Sequence, residues 1–387
     1  MRVAIVSPYA LDVAGGVQAH VRSLARALRD SGDEVLVLGP SHDGRTVTDA
    51  ASDESPMHVI GRTVRVPVNG SRAPVALDPA TAMGVRRLLR RAAPDVVHVH
   101  EPLVPMIGPA ALTAGVGARV ATFHASADAG PLPRLYRAVR TPARRVLAQA
   151  HALTAVSPVA AAFHARMLGR DAATLTVVPN GVDVARFASA RGRAPVRPDR
   201  NGSRLVVLGR LEHRKGVDVA VRAFLRLAPD RPGLTLRVIG DGPQRSSIER
   251  LRERAPDDVA ARLELVGRAA PDELPALLAD GDVAVLPARG GESFGIVLLE
   301  AMAAGLCVVA TDIPGYRDVA RSGTEAVLAR PDDVGSLAGA IARVLDDEGL
   351  RGRLRSAGAA RAAEHDWVVV AERTRAVYAE ALAASRA

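Results

Sequence analysis

Short apolar runs alternate with amphipathic stretches along the whole chain. Val3-Ala4-Ile5-Val6 is a continuous apolar run of strand length. Residues 17–30 follow with apolar positions at Val17, Val21, Leu24 and Leu28, the 3.6-residue period of a helix. Gly32 suits a left-handed helix end, and residues 34–38 form the next apolar run. Such a strand–loop–helix–strand unit predicts a parallel sheet. Further strands are expected at 63–67, 95–99, 119–123, 151–157 and 175–179, and a helix over 79–93. Pro142 is expected to interrupt or kink any helix in its neighbourhood. Residues 188–203 lose the periodicity and gather Gly, Pro, Arg and Asn. A linker is placed there, between a first domain of residues 1–187 and a second of 204–369. The pattern restarts at Leu205-Val206-Val207-Leu208, with strands at 234–239, 263–266, 283–287 and 306–310 and a long terminal helix over 367–384. The fold class is α/β.

The chain has 387 residues, 48% of them hydrophobic, enough for two separate cores. No apolar run is long enough for a membrane span, and the first is too short for a signal peptide, so a cytoplasmic protein is expected. The one cysteine, Cys307, excludes an internal disulfide and reads as a small core residue. A net charge of +9 suits nucleic acid, an anionic membrane or a phosphorylated ligand. Only 3% of residues are aromatic and zinc or recognition-helix spacing is absent, so nucleic acid is not a supported partner. Arg86, Arg87, Arg90 and Arg91 share one side of the 79–93 helix. Such a run is usually a solvated face; against anionic lipid it would gain about 1 kcal/mol per basic residue.

The richest stretch is 290–305, Gly-Gly-Glu-Ser-Phe-Gly-Ile-Val-Leu-Leu-Glu-Ala-Met-Ala-Ala-Gly, between two apolar runs. It reads as a strand-to-helix loop and a short helix. The glycines admit a close ligand, and the helix start aims unpaired N–H groups at an anion. In one reading Glu292, Glu300 and these amides grip a sugar nucleotide. In another, Gly291-Glu292-Ser293-Phe294-Gly295 is a nucleophile elbow, with Ser293 attacking and His365 as base. The first loop carries Gly15-Gly16 but not G-x-G-x-x-G, which removes the main support for hydride transfer. Arg210 and Lys215 follow the 205–208 strand, where two cations can clamp a leaving diphosphate. His124 ends its strand, the side on which parallel sheets bind ligands. His98, His100 and Glu101 lack further ligands at metal spacing, and Asp280-Gly281-Asp282 precedes its strand and reads as a turn.

Two α/β halves, glycines in the first βα loop, the Arg210/Lys215 pair and the Glu292-x7-Glu300 pair together resemble the retaining glycosyltransferases of the GT-B type, family GT4. The resemblance covers nearly the whole chain. It implies two Rossmann-like domains with parallel sheets facing a cleft, and a terminal helix, about 370–387, packed back on the first domain. Pro8-Tyr9, Asp12-Val13, Gly15-Gly16-Val17-Gln18, Asn69-Gly70-Ser71, His100-Glu101-Pro102 and Ala121-Thr122-Phe123-His124 are similar to an actinobacterial branch of the family. That branch moves mannose from GDP-mannose to the inositol ring of phosphatidylinositol, at the inner face of the plasma membrane. The resemblance implies Gly16, Arg210, Lys215, Glu292, Ser293, Phe294, Gly295, Ile296 and Glu300 on the donor side. It implies Tyr9, Gln18, Asn69, Ser71, Arg72 and His124 on the acceptor side, with catalytic roles for His124, Arg210, Lys215 and Glu292. Arg86, Arg87, Arg90 and Arg91 match a membrane-contacting helix. No cofactor is required by the sequence, with room for stimulation by Mg2+. Two departures stand out: Pro74 lies where an arginine is expected, and Pro271 and Leu274 stand at the guanine-selecting positions, beside Asp272 and Glu273. Rival expectations are another nucleotide-sugar or acceptor, such as a polysaccharide or other glycolipid, and a basic scaffold without chemistry.

Overall fold

The computed structural model describes residues 1–13, 15–44, 57–68, 71–126, 131–193 and 202–387, with backbone alone at 67, 68, 71, 72, 131–138, 192 and 193. The chain divides into two compact units, Met1–Gly181 with Trp367–Ala387, and Val182–Asp366.

In the first unit the strands are β1 (Arg2–Val6), β2 (Glu34–Ser41), β3 (His58–Arg62), β4 (Val64–Val68), β5 (Ser71–Val75), β6 (Val96–His100), β7 (Ala118–Phe123), β8 (Ala152–Ala155) and β9 (Thr176–Val177). Among the described residues, seven of them form one sheet in the order β3-β2-β1-β6-β7-β8-β9, parallel at each pairing. β4 and β5 form a separate antiparallel hairpin. The two faces of β1 go to different cores. Val3 and Ile5 pack with Val21, Leu24 and Leu28 of the helix Gly16–Asp30, and Ala4 and Val6 pack with Val85 and Leu89 of the helix Pro79–Ala92. This is the two-residue alternation of a strand buried on both faces. The terminal helix, Trp367–Arg386, completes the first of these cores with Val370, Ala371, Val377, Tyr378 and Ala381.

In the second unit the strands are β10 (Arg204–Leu208), β11 (Thr235–Ile239), β12 (Leu263–Gly267), β13 (Val283–Leu286), β14 (Cys307–Thr311) and β15 (Ala326–Ala329). They form a parallel sheet in the order β12-β11-β10-β13-β14-β15. Alternation recurs: Leu205, Val207, Val283 and Val285 join one core, and Val206, Ala284 and Leu286 the other. Cys307 is fully buried in the first of these. In both sheets the strand order reverses, between β1 and β6 and between β10 and β13. Ligands of open parallel sheets bind beyond the carboxyl ends of the strands at such a reversal.

Two expectations change. The crossing into the second unit comes at Val182, not at 188–203. The helix Val184–Arg193 packs on the helices Leu274–Ala279 and Ile296–Ala303, and Phe187 is buried in the second unit's core. Pro142 lies inside the helix Pro131–Leu147 without ending it. Val182 N–H donates to the His365 carbonyl at 2.8 Å, so the chain enters the second unit beside the point where it leaves.

The terminal helix is fixed by a polar contact as well as by packing. Tyr378 Oη lies 2.8 Å from His98 Nδ1, and both side chains are buried. Tyr378→Phe keeps the ring but strands a buried ring nitrogen. It is expected to destabilise the first unit by about 1–3 kcal/mol in chemical denaturation, and an unchanged transition would contradict the assignment.

Candidate active site

In the second unit the loop after β10 and the loop after β13 are stitched together. Gly216 has φ +63, and a Cβ there would lie 2.1 Å from the Pro287 carbonyl oxygen, so only glycine permits this approach. Arg289 N–H donates to the Arg214 carbonyl at 2.8 Å. The Arg289 guanidinium donates to both carboxylate oxygens of Asp218 at 2.9 Å, to the His213 carbonyl at 2.7 Å and to Asp332 at 2.7 Å. Such bidentate charged contacts are strong and directional. Against the upward push of burial, the hydrogen bonds from Arg289 hold the Asp218 carboxyl below the ordinary carboxylate value.

This frame presents the predicted residues. Glu292 Oε1 accepts from Lys215 Nζ at 2.8 Å and from Arg214 Nη1 at 2.6 Å. Arg210 is 57% exposed and pairs with Glu212. Glu300 lies on the helix Ile296–Ala303; burial pushes its carboxyl up to about 7, opposed by the charges of Arg186 and Lys215. Gly295 takes φ +97 just before that helix. A Cβ there would stand 2.6 Å from the Tyr316 ring. Ile296 opens the helix. Ser293 is half-buried between these groups, whereas the Phe294 side chain is buried in the core and can offer the site its backbone only. The structure thus brings Lys215 and Glu292 together and adds Arg214, which sequence reasoning passed over although it adjoins Lys215. Arg289 and Asp218 were also missed, because their partners are distant in sequence.

Other expectations resolve here. His365 Nδ1 donates to the Arg361 carbonyl at 2.9 Å and so helps to hold its own helix end. Asp280 pairs with Arg204 and Arg237, and Asp282 accepts the Arg204 N–H at 2.8 Å, so both tie the opposite end of the sheet. In the loop after Gly267, Glu273 accepts the Ala270 N–H at 2.8 Å and Leu274 packs against the core, while Asp272 is exposed.

In the first unit the loop after β1 is folded over the helix start. Gln18 is buried and donates to the Ala10 carbonyl at 3.3 Å, and a Cβ on Gly15 would strike its amide. Gly16 is the first helical residue, its Cα face open. Beyond β6 and β7 lies a histidine cluster. His100 Nδ1 is 2.8 Å from His124 Nε2, and His20 Nδ1 is 2.8 Å from Asn180 Oδ1. Glu101 has φ +45, an uncommon backbone state for this residue. Its carboxylate accepts the N–H groups of His124 at 2.8 Å and Ala125 at 2.7 Å. Burial raises the Glu101 carboxyl despite these two bonds. The Tyr9 hydroxyl is raised by burial and then by the Glu101 charge, which puts Tyr9 near the same point. Ring nitrogens of His20, His100 and His124 fall within 4.8 Å of one another, close enough to attract a metal ion. All three rings are already engaged by the hydrogen bonds just described. His20, His100 and Glu101 escaped sequence reasoning as site residues because no local spacing joins them to His124.

Asn69 lies outside the described residues, and at Ser71 and Arg72 only the backbone of β5 is described. Of the arginines on the helix Pro79–Ala92, Arg86 donates to Thr113 Oγ1 at 3.1 Å and Arg90 to the Ala114 carbonyl at 3.2 Å. Arg87 and Arg91 are exposed. Among the described residues, no helix is long and apolar enough to cross a membrane.

Residues 14–186 match the family model for Glycosyltransferase Family 4, and residues 202–347 that for Glycosyl transferases group 1. The chain is 36% identical over 383 residues to the phosphatidyl-myo-inositol mannosyltransferase of Mycolicibacterium smegmatis, covering 98% of this chain and 93% of the relative. It is 33% identical over 415 residues to a glycogen synthase of Mycobacterium tuberculosis, covering 100% of this chain and 95% of the relative. Among solved structures, a glycosyltransferase from Rickettsia africae superposes with a TM-score of 0.74 at 17% identity, covering 98% of each chain. The fold is the expected one, two Rossmann-like α/β units.

The buried histidines make the first unit acid-sensitive. Burial lowers His20 to about 4 and His98 and His164 to about 3, from 6.5. A depressed folded pKa means that stability is complete above 6.5 and is lost as pH falls from there toward 3–4. At one unit below 6.5 each histidine costs on the order of 1 kcal/mol, and the three together a few kcal/mol. Denaturant unfolding at pH 7.5 and 5.5 is expected to show this loss, and substitution of one of these histidines by an uncharged residue should lessen it. Equal stability at both pH values would refute the assignment.

Proposed function

The chain belongs to glycosyltransferase family 4, with the two Rossmann-like units of the GT-B class, and from that premise we propose that it moves mannose from GDP-mannose to the inositol ring of phosphatidylinositol with retention. The observation that carries this reading is the 36% identity to a phosphatidyl-myo-inositol mannosyltransferase through nearly all of both units. The chemistry of the residues agrees. Breaking the bond between the anomeric carbon and the diphosphate builds negative charge on the leaving oxygen. Lys215, Arg210 and the helix start at Ile296 supply positive potential for it. Glu292, now spent on Lys215 and Arg214, would exchange part of that pairing for hydroxyls of the sugar, and Glu300 would take the ribose. The inositol hydroxyl bonds to the same face of the anomeric carbon, and its proton leaves with the departing diphosphate. No protein nucleophile and base are required. Gly16 would serve the donor phosphate, and Tyr9 and His124 the acceptor side; Gln18, being buried, would shape it through the loop it holds. With Arg86 and Arg90 tied to their own unit, Arg87 and Arg91 are the freer pair for an anionic membrane at the inner face of the plasma membrane.

A second reading keeps the enzyme and changes the acceptor or nucleotide. The glycogen synthase at 33% identity supports a polysaccharide acceptor, and Pro271 and Leu274 at the expected guanine-selecting positions support a base other than guanine. The deciding experiment offers labelled GDP-mannose, with UDP-sugars in parallel, to vesicles containing phosphatidylinositol. A mannosyl lipid formed from GDP-mannose alone is the expected product. Donor hydrolysis or donor-induced stabilisation without a lipid product would reject this acceptor.

Two substitutions test the residue roles. Lys215→Ala is expected to lower turnover by about 100-fold or more, the usual cost of a lost charge-stabilising donor, with a much smaller effect on stability. Glu292→Ala is expected to abolish transfer while Ser293→Ala retains it; the opposite pattern would restore the nucleophile elbow.

A further inference from the structure

The hydrogen bond between His100 and His124 decides where His124 keeps its proton. Both rings are neutral near pH 7, because burial, and then the neighbouring histidines, lower their pKa well below 6.5. A neutral imidazole carries one N–H, so the 2.8 Å contact between His100 Nδ1 and His124 Nε2 has two possible directions. If His124 donates from Nε2, the proton of His100 must sit on its Nε2. That atom is buried and has no hydrogen-bond partner among the described residues. If His100 donates from Nδ1, its Nε2 is a bare lone pair at the same place. A buried N–H without an acceptor is the rarer and costlier defect. The neighbours offer no way out. His98 uses Nδ1 on Tyr378 and Nε2 on Thr122, and His20 uses Nδ1 on Asn180.

We infer that His100 is a positioning residue that fixes His124 with its proton on Nδ1, so that His124 meets the acceptor as a hydrogen-bond donor and not as a base. The tautomer follows from the hydrogen bond and the unpartnered nitrogen; the meeting with the acceptor rests on the function proposed above. His124 Nδ1 has no partner among the described residues, and the Glu101 carboxylate holds the backbone of His124 and Ala125 in place. Such a group suits an oxygen carrying negative charge, as on a phosphate ester. It cannot take a proton at Nδ1.

The test is a long-range proton–nitrogen correlation spectrum of protein labelled with 15N-histidine, the His124 signals being assigned by their loss in His124→Gln. The expected wild-type spectrum shows His124 protonated at Nδ1 and bare at Nε2; a proton on Nε2 overturns the inference. His100→Asn, whose amide can still donate, should preserve this state, and His100→Leu should release it into a mixture. An unchanged tautomer in a folded His100→Leu protein also overturns the role of His100. In mannose transfer, His100→Leu should lower kcat at least about tenfold with the donor KM unchanged, as expected of a misplaced histidine tautomer, and His100→Asn should recover most of it. If the spectrum is as expected but His124→Gln transfers mannose normally, the acceptor role of His124 is overturned and the tautomer stands.

Discussion

The central strands of both sheets are buried on both faces, and most of their side chains meet apolar surroundings. The charges of the candidate site gather beyond the last residue of a strand, where the chain turns toward its next helix. The order of strands then selects which ends matter. On either side of a reversal two neighbouring connections leave in opposite directions, and the loops after β10 and β13 meet there. Lys215, Arg214, Glu292 and Arg289 all lie in these two loops, and none of them interrupts the apolar alternation that precedes it. In the first unit the corresponding place is filled by the loop after β1 and by Glu101 and His124 beyond β6 and β7.

The two polar clusters solve the cost of burial differently. In the second unit opposite charges share it: Glu292 faces two cations, and Asp218 and Asp332 face Arg289. A charge pair of this kind does more for geometry than for stability, since desolvation cancels much of the attraction. In the first unit the histidines avoid charge altogether and are joined as neutral donors and acceptors, which makes their state depend on which nitrogen holds the proton.

Much of this was legible in the sequence wherever cause and effect lie close together. The run Val3–Val6, the restart at Leu205 and the Gly–Gly–Glu loop ahead of Ile296 declare themselves by period and composition within a few residues. The boundary did not, because the helix Val184–Arg193 looks like surface until Phe187 is seen among residues of 274–303. His20, His100 and His124 are unremarkable one by one and become a network only when two strand ends and a helix start converge. Arg289 reads as one exposed arginine among many, and its role comes from a carboxylate on another helix and a carbonyl in another loop. Long-range pairing of that kind leaves no periodic trace.

The last helix of the chain belongs to the core that its first strand begins. Val3 and Ile5 emerge from the ribosome early, yet Val370, Tyr378 and Ala381, which cover the same core, follow only after the whole of the second unit. All of Val182–Asp366, by contrast, is available before the terminal helix exists. The second unit can therefore close during translation, while the first must wait with an apolar face uncovered until residues 367–381 follow. A chain interrupted before Trp367 would carry a finished second unit and an unfinished first one.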